Sequence, residues 1–218
     1  MPFRDRHDAG SRLAKRLHTQ LGAPLPGERR IVLALPRGGL PVAEHVAETL
    51  HAPLDVLVVR KLGAPGNEEF ALGAIASGGA RHVDERTLAQ LGVDAPTLEA
   101  IEARERREIE RREALYRGNR DALDVKDATV VLVDDGVATG STMKAALVAL
   151  RSQHPARILV AIPLAPRDTL HALEALADDV VCLETPEPFF AVAQGYDSFP
   201  QVDDATVTRI LDAASAPT

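Results

Sequence analysis

The chain has 218 residues, 45% of them hydrophobic, and a net charge of −7. That is ample apolar material for one core, and an acidic balance without a long basic tract argues against a nucleic-acid partner. Cys182 is the sole cysteine and excludes an internal disulfide, no apolar stretch approaches the roughly 20 residues of a membrane span, and the charged start Met1–Gly10 does not read as a signal peptide, so the cytoplasm is the expected compartment and no membrane partner is expected.

Leu13, Leu17 and Leu21 recur at helical spacing, so the chain opens with an amphipathic helix. Ile31–Leu35 reads as a buried strand. Pro36-Arg37-Gly38-Gly39 then turns the chain, and Pro41 suits the first position of a helix with Val42, Val46 and Leu50 on its inner face. Leu54–Val59 is the next strand. The stretch from Arg60 to Arg120 interrupts the alternation. Arg60 and Lys61 open a run rich in Gly and Pro that suits a mobile loop, with Glu68 and Glu69 at its end, and Phe70–Ala76 is a candidate strand. Residues 85–120 read as a helical insertion dominated by a charged helix over Ala95–Arg117. Glu102/Arg106, Glu108/Arg112 and Glu113/Arg117 form i, i+4 pairs worth about 0.3–0.5 kcal/mol each. The thin apolar stripe of Leu98, Ile101, Ile109 and Tyr116 leaves two readings: a solvated arm, or a subunit contact in a homodimer.

Thr129–Val133 has the length and β-branching of a strand buried on both faces. Asp134 and Asp135 follow at once. Small residues and hydroxyls run from Gly136 to Thr142, leading into a helical pattern of Met143, Ala146, Leu147 and Leu150. A helix start after such a loop is an anion site, because unpaired N–H groups and the helix dipole face the ligand. Carboxylates repel phosphate, so the two acids must face sugar hydroxyls, a divalent cation, or both. The glycine spacing fits neither a P-loop nor the dinucleotide fingerprint.

Ile158–Pro163 is a further strand, Leu170, Leu173 and Leu176 mark a helix, and Val180–Leu183 is the last apolar run, with Cys182 as a buried thiol. Residues 185–201 then hold Phe189, Phe190, Tyr196 and Phe199 in a loop rich in Pro and Gly, which reads as a small lid. Val207, Ile210 and Leu211 indicate a short closing helix. Short apolar strands separated by amphipathic helices imply an α/β fold with a mostly parallel central sheet flanked by helices. Ligands of such sheets bind beyond the carboxyl ends of the strands. The seven histidines show no paired helical spacing, so no transition-metal site is indicated.

The segment from Val130 to Thr142 resembles the phosphoribosyl pyrophosphate (PRPP) binding motif of type I phosphoribosyltransferases: four apolar residues, two acids, a short variable stretch, then Thr-Gly-Ser-Thr. The whole chain is most similar to a subgroup of predicted bacterial members whose acceptor is unassigned. The resemblance implies that type I fold as a single domain over residues 1–218, with the insertion at 85–120 and an acceptor-covering hood at 185–201. That hood would be assembled after the core, unlike families whose hood is N-terminal. It also implies transfer of phosphoribose from PRPP to a nitrogenous acceptor, such as a nucleobase, with release of pyrophosphate. Gly136, Val137, Ala138, Thr139, Gly140, Ser141 and Thr142 would hold the 5′-phosphate. Arg37, Gly38, Gly39 and Arg60 would hold the pyrophosphate, in a turn that often carries a non-proline cis peptide in this family. Lys61, Asp134, Asp135 and Arg37 would be catalytic: the two acids would bind ribose hydroxyls and reach Mg²⁺ through water, and Lys61 and Arg37 would steady the leaving pyrophosphate. Phe189, Phe190 and Tyr196 would contact the acceptor. Neither Glu68 nor Glu69 needs the role of general base. Ala138 stands where the 6-oxopurine enzymes have an Asp, which argues against that acceptor. The alternatives are a regulator that binds PRPP without turnover, another phosphosugar enzyme, and a phosphatase or receiver-type domain. In the last two types, the active acids are not followed by Thr-Gly-Ser-Thr.

Overall fold

The computed structural model describes residues 2–215, apart from the side chains of residues 67–70. In chain order the elements are α1 (Arg6–Leu21), β1 (Arg30–Ala34), α2 (Gly39–Leu50), β2 (Leu54–Val56), β3 (Val59–Ala64), β4 (Asn67–Ala76), β5 (Arg81–Val83), α3 (Glu85–Leu91), α4 (Ala95–Arg117), β6 (Thr129–Val133), α5 (Ser141–Arg151), β7 (Arg157–Leu164), α6 (Arg167–Glu174), β8 (Asp179–Glu184) and α7 (Asp204–Ser215).

Five strands form a parallel sheet in the order β2-β1-β6-β7-β8. Side chains alternate across a strand, so β6 feeds two cores. Val131 and Val133 pack with Leu13, Leu17, Val42 and Val46 of α1 and α2. Val130 and Leu132 pack on the other face with Met143, Leu147 and Leu150 of α5. Burial on both faces is why β6 is an unbroken apolar run. From β1 the chain moves outward to β2, then returns to lay β6 on β1's other side. The strand order therefore reverses between β1 and β6, which opens a crevice above their carboxyl ends.

Three expectations change. The strand expected over Leu54–Val59 is divided: β2 ends at Val56, and β3 starts a separate antiparallel sheet of order β3-β4-β5. Ser77 forces the break, since its hydroxyl accepts from Val58 N–H at 3.0 Å while its own N–H donates to the Val58 carbonyl at 2.9 Å. The expected mobile loop after Lys61 is a hairpin in which Lys61 pairs with Ala74 and Leu62 with Gly73, and β4 begins at Asn67 rather than Phe70. Buried Leu62, Ala64, Leu72 and Ala74 alternate along the two strands, a strand signal masked by the surrounding Gly and Pro.

Nor is the charged helix a solvated arm. α4 packs on β3, β4 and α7 and buries Leu98, Ile109 and Tyr116, together with Glu105 and Arg117. Polar residues reach the core because they arrive paired. Arg117 Nε lies 2.8 Å from Asp55 Oδ1, and its Nη2 donates to the Val56 carbonyl at 2.6 Å. Glu105 accepts from Arg60 at 2.7 Å and from Arg104 at 2.8 Å. Of the expected i, i+4 pairs, Glu108–Arg112 and Glu113–Arg117 form, whereas Glu102 pairs with Arg81 of β5.

The segment after β8 does not stand on late residues alone. Phe3 N–H donates to the Gly195 carbonyl at 2.7 Å, and Asp197 N–H donates to the Phe3 carbonyl at 2.8 Å. Phe3, Ala9, Leu164 and Tyr196 form a third buried cluster, with Phe189, Val192 and Phe199 at its margin. Phe3 and Ala9 thus hold the segment around Tyr196. Cys182 is half-buried, β8 being an edge strand, and burial pushes its thiol up to about 11. Among the described residues, no helix is long and apolar enough to cross a membrane.

Candidate active site at the strand switch

Asp134 and Asp135 cap β6 at the crevice, both half-buried. Asp135 N–H donates to Asp134 Oδ1 at 2.8 Å. Burial holds the Asp134 carboxyl well above the usual carboxylate range, and the neighbouring Asp135 charge adds to it. Burial also raises Asp135, opposed by Arg6, whose Nε lies 2.7 Å from Asp135 Oδ2. Arg6 is itself buried. Its Nη1 donates to the Pro200 carbonyl at 2.7 Å, and its guanidinium sits 3.6 Å over the Phe199 ring. Asp135, expected to face ribose and metal, is thus committed to an arginine from α1. The sequence carries no signal for this pair, which lies 129 positions apart.

The loop from Gly136 to Gly140 is fixed from behind. Val137 N–H donates to the Leu164 carbonyl at 2.9 Å, and Thr169 Oγ1 donates to the Ala138 carbonyl at 2.7 Å. Gly140 turns the chain into α5 with φ +75°, a conformation only glycine adopts freely, and a Cβ there would lie 2.9 Å from Thr169. α5 starts at Ser141, so its first N–H groups have no partner within the helix. Thr139 and Thr142 are exposed beside them. The motif's hydroxyls and the helix start thus share one end of the crevice.

The Pro36–Arg37 peptide is cis. A Cβ on Gly38 would lie 2.1 Å from Asp135 Oδ2, so only glycine lets this turn approach the acid pair. Gly39 N–H donates to the Leu35 carbonyl at 3.1 Å. Arg37 Nη1 is 3.8 Å from Asp204 at the start of α7, and Asp204 also accepts from the Tyr116 hydroxyl at 2.8 Å. A 710 Å³ cleft is lined by Arg37, Gly38 and Asp135 together with Arg111, Arg112 and Tyr116 of α4. Sequence reasoning missed Arg6 and this arginine pair, because their helices read as ordinary charged surface.

Lys61 and Arg60 stand elsewhere. Arg60 is drawn to Glu105, and Lys61 shares one small cavity with Thr142 and another with Ser141 and Lys144. Lys61 therefore borders the start of α5, not the cleft beside Arg37. Tyr196 is buried at 7% exposure, with ring centroids 5.5 Å from Phe3 and 4.8 Å from Phe199, and its hydroxyl donates to the Asp135 carbonyl. It ties this segment to the acid pair, with its ring packed on Phe3 and Phe199. Phe189 is half-buried against the same cluster, whereas Phe190 is 82% exposed. Glu68 and Glu69 have side chains outside the described residues. Among the described residues, no three His, Cys, Asp or Glu side chains group to hold a metal ion.

The chain matches the family described as "Phosphoribosyl transferase domain" over residues 4–198. Two Mycobacterium tuberculosis proteins, from strains CDC 1551 / Oshkosh and ATCC 25618 / H37Rv, are each named "Putative phosphoribosyl transferase" and are 45% identical over 212 residues. The match takes in 97% of this chain and 47% of theirs, so the chain spans about half the length of these relatives. The crystal structure of TT1426 from Thermus thermophilus superposes with a TM-score of 0.88 at 44% identity, covering 99% of this chain and 100% of that one. The AQ2163 protein from Aquifex aeolicus shares the fold at a TM-score of 0.51 and 13% identity, over 83% of this chain and 74% of its own. A domain match across most of the sequence and close relatives along nearly all of it agree with the geometry of the crevice: this chain belongs to the phosphoribosyl transferase family.

Proposed function

We propose that the chain transfers the phosphoribosyl group of PRPP to a nitrogenous acceptor, a nucleobase in the first instance, and releases pyrophosphate. One observation carries this reading. Two turns of small residues leave adjacent parallel strands side by side: Ala34 pairs with Val133, and Leu35 N–H donates to the Val133 carbonyl at 2.9 Å. PRPP carries a phosphate at one end of its ribose and a pyrophosphate at the other. The helix start at Ser141 suits the first, and the Arg37-Gly38-Gly39 turn suits the second.

Between them Asp134 faces the ribose hydroxyls. In the transfer a nitrogen lone pair forms the bond to C1, the bond from C1 to the pyrophosphate oxygen breaks, and its electrons leave on pyrophosphate. The proton displaced from the acceptor passes to solvent. Arg37 and the backbone N–H groups of the turn offset the charge that grows on the leaving group. Asp134, whose carboxyl is raised by burial and by the neighbouring Asp135 charge, fits a hard cation, and Mg²⁺ held by Asp134 and substrate oxygens would supply charge neutralisation for the pyrophosphate. The exposed Phe190 ring suits stacking on a planar acceptor, and Ala138 disfavours a 6-oxopurine.

The test is calorimetry with PRPP, with and without Mg²⁺, followed by pyrophosphate release with a panel of purine and pyrimidine bases. PRPP should bind more tightly with Mg²⁺, and at least one base should drive release. Thr139→Ala should weaken PRPP and ribose 5-phosphate alike, by about 1.5–3 kcal/mol, because its hydroxyl would donate to a charged phosphate. PRPP binding without release by any acceptor would favour a sensor, and no PRPP binding at millimolar concentration would overturn the reading.

A further inference from the structure

The leaving-group side of the crevice needs positive charge, and the basic residues expected to supply it through the hairpin are engaged elsewhere. Arg60 is paired with Glu105, and Lys61 borders Thr142 and Ser141 at the other end of the site. The cleft beside Arg37 and Gly38 is instead faced by α4, which contributes Arg111 and Arg112 to its lining.

The charges on the cleft wall sort as follows. Asp135 is neutralised by Arg6 at 2.7 Å. Asp204 accepts from the Tyr116 hydroxyl at 2.8 Å and stands 3.8 Å from Arg37. Arg111 and Arg112 share a single carboxylate, Glu108, at 2.9 and 2.7 Å. Glu108 belongs to the neighbouring groove with Arg104 and Arg107 and is absent from the cleft lining. Two guanidiniums on one carboxylate leave an uncompensated positive charge at the rim. Tyr116, one turn further along α4, ties the helix to α7 and so sets where that charge stands.

We propose that Arg111 and Arg112 of the helical insertion hold the leaving pyrophosphate, in the cleft they line together with the Arg37–Gly38 turn. This rests on the phosphoribosyl-transfer reading and adds a substrate contact that the PRPP motif does not contain. Guanidinium forks match phosphate oxygens, and both side chains can release Glu108 because they are at the surface, 61% and 33% exposed.

The experiment measures binding of inorganic pyrophosphate with Mg²⁺, and of ribose 5-phosphate, to the full chain and to Arg111→Gln/Arg112→Gln and Arg111→Lys/Arg112→Lys. The Gln pair should lose on the order of ten- to a hundredfold in pyrophosphate affinity, retain ribose 5-phosphate affinity, and melt like the parent. The Lys pair should recover part of the loss, which a merely structural role would not produce. Unchanged pyrophosphate binding in the Gln pair overturns the proposal. So does a parent that binds ribose 5-phosphate but not pyrophosphate. A parent that binds neither overturns the transfer reading itself, and this proposal with it.

Discussion

Asp134 sits at the end of a strand buried on both faces, with a second carboxylate next to it in the chain. Its folded-state carboxyl is raised by burial and then by Asp135, so the folded chain holds that proton more tightly than the unfolded one. By linkage, stability contributed here is greatest below the unfolded carboxylate range. It falls as pH rises through that range toward the raised value and stays low above it. Asp134→Asn removes that penalty. It is expected to raise the melting temperature at neutral pH by roughly a few degrees, to lose the advantage in acid, and to weaken PRPP binding. Thermal melts across pH, beside calorimetry, check both halves; an Asn variant less stable than the parent at neutral pH would refute the strain argument. The acids themselves are legible because they adjoin a recognisable loop. Arg6, which holds Asp135, is not legible, because nothing in a charged helix start says which distant group it meets.

At the level of elements, α4 shows how a polar helix becomes part of a core. Arg117 and Asp55 are both buried, and the arginine also satisfies the Val56 carbonyl while Asp55 accepts from Leu123 N–H. Removing one partner strands the other charge away from water, a loss of typically about 3–5 kcal/mol. Arg117→Met should therefore destabilise by about that amount in denaturant titrations. Asp55→Asn/Arg117→Met should recover most of it, because no charge is left buried alone. If the double variant is as unstable as the single one, packing of the arginine stem rather than charge carries the effect. Composition suggested a solvated arm because it counts charges without showing their partners, and the partners of α4 come from β2, β3 and β5.

For the whole molecule, Phe3 and residues 192–198, far apart in the chain, meet beside one site. The bond from Phe3 N–H to the Gly195 carbonyl straps residues 192–198, and Tyr196 passes the constraint to Asp135 through its hydroxyl. Phe3 is 1% exposed. Phe3→Ala should cost about 3–5 kcal/mol if its cavity stays open, and less if residues 192–198 collapse into it or detach. Hydrogen exchange separates the cases. The amides of Asp197 and Ser198, which donate to Phe3 and Arg4 carbonyls, should exchange faster in the variant while those of β6 stay protected. Uniform loss of protection would instead mean that the strap holds the entire fold, not residues 192–198 alone.

By itself the sequence determined the parallel sheet, the position of Asp134 and Asp135 at the end of β6, and the loop from Gly136 that leads into a helix. These are local: a buried strand needs a continuous apolar run, and a turn into a helix is written in contiguous small residues and hydroxyls. Tertiary structure alone decided that Lys61 lies beside Thr142, that Tyr196 is an anchor, and that Arg6, Arg111 and Arg112 reach the crevice. Each of these depends on strand register, helix packing or pairing between charges far apart in the chain. A charged side chain has the same appearance in the sequence whether it ends in solvent, in a buried pair or at the mouth of a cleft, because the difference lies in what other elements bring to meet it.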